Sequence, residues 1–263
     1  MQLTSTNSSI GLIYALKKIF NLKIDKLIKK NNKLVLDDGS RWTFRGDVSN
    51  LFDKHIARSI PLYHQNIWIT LELSDYFLKD DSNVYDLGSS TGTFLKSLQL
   101  RNKKREKIKY FGIDIVPEMI KHSQKNNSGK NIKFIHEDIN KIKFKKSDFI
   151  SSFYTLQFIE QRFRKKILKN IYSSLNWGGA FLITEKIIST NSKNQNMMNE
   201  IYLQWKVFQG FSDKEVALKT KSLRGVLDPN LSKTNIKMLK EIGFKNIEIV
   251  SQYLNFQTIL ATK

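Results

Sequence analysis

VYDLGSSTG, residues 84–92, is an apolar run that closes on an acid, turns between two glycines and opens into the helical pattern TFLKSL. Such a turn needs Gly88, where the backbone bends sharply and passes close to a ligand, and Gly92, where the following helix packs tightly on its strand. A dinucleotide fingerprint would require another glycine at Ser90, because the pyrophosphate lies against the backbone there, so Ser90 argues against NAD. S-adenosylmethionine carries no phosphate and tolerates a side chain at that point. A glycine turn after a strand is on its own only a turn, and the flanking elements have to support the assignment.

Those elements alternate. The patterning predicts strands over residues 84–87, 108–115, 132–137, 148–153 and 180–186. Between them fall helices over 91–100, over 119–126 behind Pro117, and over 162–175, the last closed by Trp177-Gly178-Gly179. Strands separated by helices give an α/β, doubly wound, mostly parallel, Rossmann-like sheet. A helix over 232–243, with Ser232 as cap and Gly243 as stop, precedes strands at 246–254 and 256–261. With no helix between them, these two must form an antiparallel pair at the sheet edge and complete seven strands. Upstream, residues 50–79 are helical in pattern and Pro61 divides them, the second helix starting at Tyr63.

Residues 1–40 stand apart as a basic amphipathic helical extension, with Ile13, Leu16, Phe20, Ile24 and Leu27 at helical spacing among lysines. They lack the charge order and cleavage site of a signal peptide, and packing on the main domain competes with membrane or RNA contact. The main domain runs over 41–263. No apolar run approaches the roughly 18 residues of a spanning helix, which predicts a soluble, cytoplasmic protein. The chain has no cysteine, which removes disulfides and thiol chemistry, and its four scattered histidines show no metal spacing. Lys and Arg number 44 against 24 acids, a net charge of +20. That leaves nucleic acid among the expected partners, although a chain rich in Lys, Asn and Ile throughout also acquires such a charge from compositional bias.

In a doubly wound sheet the ligand lies across the carboxyl ends of the strands. Asp86 ends the first strand, placed for the amino-acid portion of the ligand. Asp114 ends the second, about twenty residues past the glycine turn, where a carboxylate takes paired ribose hydroxyls. Asp138 ends the third with Ile139 beside it, an acceptor for an exocyclic amine and an apolar face for adenine. An acid after a strand is usually a turn-former; three in register point to an adenosyl ligand.

Several pieces carry a resemblance: Trp42-Thr43-Phe44, Arg58-Ser59-Ile60-Pro61 with Tyr63, the glycine loop with its serine, Pro117 with Met119-Ile120, and Asp138-Ile139. Leu156-Gln157-Phe158, Trp177-Gly178-Gly179 with Glu185-Lys186, and Asn255-Phe256 extend it, so that it covers residues 42–263. The chain resembles the class I S-adenosylmethionine-dependent methyltransferases, and among them the carboxy-S-adenosyl-L-methionine synthases, which supply tRNA wobble-uridine modification. The resemblance implies cofactor contacts from Tyr63, Gly88, Ser89, Ser90, Asp114, Asp138 and Ile139, and a homodimer. It implies S-adenosylmethionine or its carboxylated derivative as cofactor, and a small-molecule acceptor or carboxyl donor as partner.

The departures are specific. Ile115 and Phe153 stand in cofactor positions where the synthases have asparagine, and Thr220 stands where they have the arginine that grips the extra carboxylate. A guanidinium pairs a carboxylate bidentately and a hydroxyl offers one neutral donor, which favours a methyltransferase with an unidentified acceptor over the synthase. The synthase would move a carboxyl group from prephenate, releasing phenylpyruvate, and needs cations for two carboxylates. A binding protein without catalysis is the third reading, and the intact glycine loop argues against it. Residues 187–230 form the expected helical lid, with Tyr202, Trp205, Phe208 and Phe211 as core or substrate platform. Arg58, Trp205, Thr220, Lys221 and Arg224 are the candidate substrate residues.

Overall fold

The computed structural model describes residues 41–46 and 48–263. The predicted amphipathic extension over 1–40 lies outside the described residues. Helices α1 (Val48–Ser59) and α2 (Tyr63–Ser74) come first, separated by Pro61 and by Leu62 in the left-handed region at φ 55°. The alternation then runs β1 (Asn83–Leu87), α3 (Thr93–Arg101), β2 (Lys109–Asp114), α4 (Pro117–Asn126), β3 (Ile132–His136) and β4 (Ser147–Phe153). A 3-10 turn at Leu156–Phe158 leads to α5 (Gln161–Ser174) and β5 (Leu175–Lys186), and two helices follow, α6 (Ser192–Phe208) and α7 (Asp213–Ser222). Helix α8 (Ser232–Ile242) and strands β6 (Asn246–Tyr253) and β7 (Phe256–Thr262) end the chain.

The strands form one sheet in the order β3-β2-β1-β4-β5-β7-β6, with β1 to β5 parallel and β7 antiparallel to both β5 and β6. Because side chains alternate along a strand, successive residues feed opposite cores. Val84, Phe149 and Leu182 join Phe94, Leu95 and Leu98 on one face, while Leu87, Ile150 and Phe181 join Ile167, Leu168 and Ile171 of α5 on the other. Both faces are therefore covered, which a parallel sheet requires. The chain departs in opposite directions after β1 and after β4, neighbours in the sheet, so a crevice opens above their carboxyl ends.

Two local expectations are corrected. Ser232 is the first residue of α8 and not its cap: its hydroxyl donates to Gln257 Oε1 at 2.9 Å, and Leu231 precedes the helix without a side-chain cap. Trp177-Gly178-Gly179 does not form a loop closing α5 but lies within β5. The last residue of the chain holds it there, with Gly178 N–H on the Lys263 carbonyl at 3.1 Å and Lys263 N–H on the Gly179 carbonyl at 3.0 Å. The final strands form the expected antiparallel pair at the sheet edge, with β6 outermost and β7 beside β5.

Candidate active site

The glycine loop is tied to the neighbouring strand before any ligand is considered. Gly88 and Ser89 N–H groups donate to the Ile113 carbonyl at 2.8 and 2.9 Å, and Gly92 N–H closes the turn on the Ser89 carbonyl at 2.8 Å. Gly92 is left-handed at φ 80°, and a Cβ there would run into the Phe134 ring of β3. Gly88, at φ 72°, is also required by its neighbours: a Cβ would collide with the side chain of Thr155 after β4. Ser90 adopts φ 51° with a full side chain, and its N–H donates to Asp114 Oδ2 at 2.8 Å. Thr91 and Thr93 donate to the two oxygens of Asp53 at 2.6 and 2.9 Å, which fastens α1 over the loop.

The acids at the strand ends converge on a cavity of about 830 Å³. Asp114 receives a second N–H, from Val116, on Oδ1 at 2.9 Å; burial nevertheless holds its pKa above the ordinary carboxylate value. Asp86 is 3% exposed and accepts from the Ser151 hydroxyl at 2.7 Å; burial, with the Asp114 charge adding to it, pushes it up to about 7. Asp138 turns Oδ1 onto the backbone and amide of Asn140, at 2.8 and 2.9 Å. Ile115, Val116, Met119 and Ile139 supply apolar surface among these acids. Tyr63 stacks on Tyr154 at 6.5 Å, and Phe153 meets Phe94 edge-on at 4.9 Å. Ser89 Oγ is buried in this wall with no hydrogen-bond partner among the described residues.

The opposite wall is basic. Lys186 from β5, Lys206 from α6 and Lys219 from α7 line it, with His55 from α1. Lys186 N–H donates to Gln157 Oε1 at 2.8 Å, and its ammonium lies 4.9 Å from the Tyr202 ring centre. Beneath it, the buried Glu185 carboxylate receives the N–H groups of Leu156 and Gln157 at 2.9 and 3.0 Å, which fixes the 3-10 turn against the cavity. Burial pushes Glu185 up to about 8.

Residues 78–242 match the model of a methyltransferase domain family. The carboxy-S-adenosyl-L-methionine synthase of Staphylococcus epidermidis is 38% identical over 224 residues, covering 85% of this chain and 97% of that one. The synthase of Nautilia profundicola is 38% identical over 249 residues, 94% of this chain and 99% of that one. This chain belongs to the carboxy-S-adenosyl-L-methionine synthase family. It is an S-adenosylmethionine-dependent transferase. Its fold is also that of a putative O-methyltransferase from Nostoc punctiforme, with TM-score 0.58 at 16% identity, covering 88% of this chain and 65% of that one. Magnesium protoporphyrin IX methyltransferase from Synechocystis, solved with SAH, aligns with TM-score 0.53 at 14% identity over 79% of this chain and 86% of that one.

Of the expected cofactor residues, Tyr63, Asp86, Gly88, Ser89, Ser90, Asp114, Ile115, Asp138, Ile139 and Phe153 come together as cavity lining. Gly92 packs behind the loop. Of the candidate substrate residues, Thr220 and Arg224 line the cavity; Thr220 Oγ1 donates to the Val216 carbonyl of its own helix at 2.8 Å. Arg58, Trp205 and Lys221 do not line it. Arg58 Nε donates to the Gln209 carbonyl at 3.0 Å with its guanidinium 4.6 Å from the Phe211 ring centre, and Trp205 stacks on Tyr202 at 6.2 Å. Sequence reasoning gave no role to His55, Lys206 or Trp42. The available signal was the i, i+4 spacing that puts Lys206 on the Tyr202 face of α6.

Proposed function

We propose that this chain makes carboxy-S-adenosyl-L-methionine from S-adenosylmethionine and prephenate. The observation that carries the reading is the polarity of the cavity: strand-end carboxylates on one wall and lysines on the other suit a cationic nucleoside beside a dianionic acid. The methyltransferase reading drew on the loss of arginine at Thr220. That loss is offset in kind by Lys186, Lys206 and Lys219, which make no ion pair among the described residues. The Thr220 hydroxyl, committed to the Val216 carbonyl, is what still favours a neutral methyl acceptor.

The residues fit S-adenosylmethionine. The partnerless Ser89 Oγ awaits a hydrogen bond, and Asp114, oriented by two N–H groups, keeps lone pairs for ribose hydroxyls. Asp138 with Ile139 and Ile115 would hold the adenine, Asp86 the amino-acid portion, and the Tyr63 and Phe153 rings would face the sulfonium. S-adenosylmethionine supplies its methyl carbon, which exchanges one proton for the donor's carboxyl group; the donor aromatises as its ring hydroxyl leaves with that proton as water. Helices α6 and α7 act as the lid that excludes bulk water, so the chain chiefly positions two substrates. Cytoplasmic placement, a homodimer and service to tRNA modification belong to the same reading. Incubation with S-adenosylmethionine and prephenate, followed by mass spectrometry, should reveal the carboxylated nucleoside and phenylpyruvate in equal amounts. Turnover of S-adenosylmethionine without that product would overturn the proposal.

A further inference from the structure

Lys206 and Lys219 are only 4% and 9% exposed, and both line the cavity. An unpaired charge in such a place is strongly destabilising unless something compensates it. Among the described residues no carboxylate forms an ion pair with either lysine. The carboxylate whose field reaches Lys206, Glu215, spends Oε2 on the N–H and hydroxyl of Ser212, both at 2.7 Å, and makes no ion pair with either lysine. What surrounds the amines is aromatic. Lys206 Nζ lies 5.7 and 5.4 Å from the ring centres of Tyr202 and Phe211, and Lys219 Nζ rests on Trp42, which stacks on His55 at 6.0 Å.

We propose that Lys206, over the Tyr202 and Phe211 rings, and Lys219, over Trp42, form a subsite for a carboxylate of the second substrate, whose apolar body lies along these aromatic rings. The proposal rests on the synthase reading for the identity of that substrate. Its consequence is a coupling to protons. Burial, with the Lys206 charge adding to it, pushes Lys219 down to about 5. Burial and Lys186 push Lys206 down to about 8, against the pull of Glu215. His55 faces the pair from α1, burial and the surrounding cations Lys219, Lys206 and Arg58 push it down to about 3, and it stays neutral. The other groups near the pair are Arg58, behind the lining with its guanidinium on the Phe211 ring, Lys186, which burial holds below the ordinary lysine value, and the Tyr202 hydroxyl, which burial holds protonated while it donates to the Ser59 carbonyl at 2.8 Å. Near pH 7 the empty subsite therefore carries less charge than its lysines could supply, and an entering carboxylate restores the missing proton.

The test is calorimetry of full-length protein saturated with SAH, titrated at pH 7 with phenylpyruvate and separately with prephenate, in phosphate and in Tris. The enthalpies should differ between buffers by an amount equal to uptake of about one proton. Lys206→Met and Lys219→Met should each weaken binding about ten- to a hundredfold, with SAH affinity held as the check on folding. Lys219→Arg should bind with less proton uptake, because a guanidinium is already charged. Buffer-independent enthalpies, or affinities unmoved by both methionine variants, would overturn the subsite. If the synthase reading alone is wrong, no carboxylated product forms while proton-linked binding survives; if the subsite alone is wrong, product forms and neither lysine affects it.

Discussion

Asp114→Asn tests whether one side chain both binds the proposed ligand and holds the loop. The carboxylate accepts Ser90 N–H at 2.8 Å on Oδ2 and Val116 N–H at 2.9 Å on Oδ1, and its remaining lone pairs face the cavity. Asparagine keeps one acceptor oxygen and turns an NH₂ group toward the other N–H, so one loop contact becomes a repulsion in the empty protein and in the complex alike. That part largely cancels from binding and appears as lost stability of about 1–2 kcal/mol, several degrees of melting temperature. The ligand part does not cancel. Replacing a charge-assisted bond to ribose costs about 1.5–3 kcal/mol, roughly ten- to 150-fold in affinity. Titration calorimetry with SAH reads the second quantity and a thermal melt without ligand reads the first. Affinity unchanged within twofold, with melting clearly lowered, would refute Asp114 as a ligand contact and leave it a loop strut.

Two variants should show opposite pH trends. Lys219 has a folded pKa far below its unfolded value, so its penalty is greatest at low pH and fades as pH rises; the stability gained by Lys219→Met should shrink by up to ~1.4 kcal/mol per unit between pH 6 and 9. Asp86 is raised, so its penalty is full above about 7 and relieved below, and Asp86→Asn should stabilise the empty protein at pH 8 and much less at pH 5. Gly92→Ala, forced into φ 80° and the Phe134 ring, should cost about 2–4 kcal/mol in urea titrations; a loss under 1 kcal/mol would mean the loop relaxes. Thr220→Arg should raise the affinity for carboxylated S-adenosylmethionine relative to SAH severalfold in competitive calorimetry, and an unchanged ratio would mean that position does not face the added carboxylate.

The strands and the acids were legible because their signals are local. Apolar runs of the right length, a glycine turn and an acid at each strand end can be read without knowing what lies across the sheet, and Asp86, Asp114 and Asp138 duly meet at one cavity. The basic wall was not legible. In a chain with 44 Lys and Arg, one lysine looks like any other, and what distinguishes Lys206 and Lys219 is burial against Trp42 and Phe211, which is a tertiary fact. Ser232 misled for a related reason: a serine before a helical run caps it unless something else claims the hydroxyl, and Gln257 of β7 does.

Sites of strain and buried charge coincide with the cavity more than with the rest of the fold. Among the described residues five non-glycine residues adopt positive φ; Ser90 and Tyr154 line the cavity, and Leu62 precedes Tyr63, which also lines it. Each such residue costs on the order of 1–2 kcal/mol, and the buried lysines and Asp86 add the cost of charges held away from water. A sheet packed on both faces by well-filled apolar clusters can carry such penalties. The distribution has a chemical logic, because substrates that bring the missing charges would relieve the same groups that destabilise the empty site. Binding of the cation should lower the cost of Asp86, and binding of the dianion that of Lys206 and Lys219. On the proposed reading the two ligands would fill opposite electrostatic defects of one cavity. Joint occupancy brings their own opposite charges together, so each should bind more tightly when the other is present.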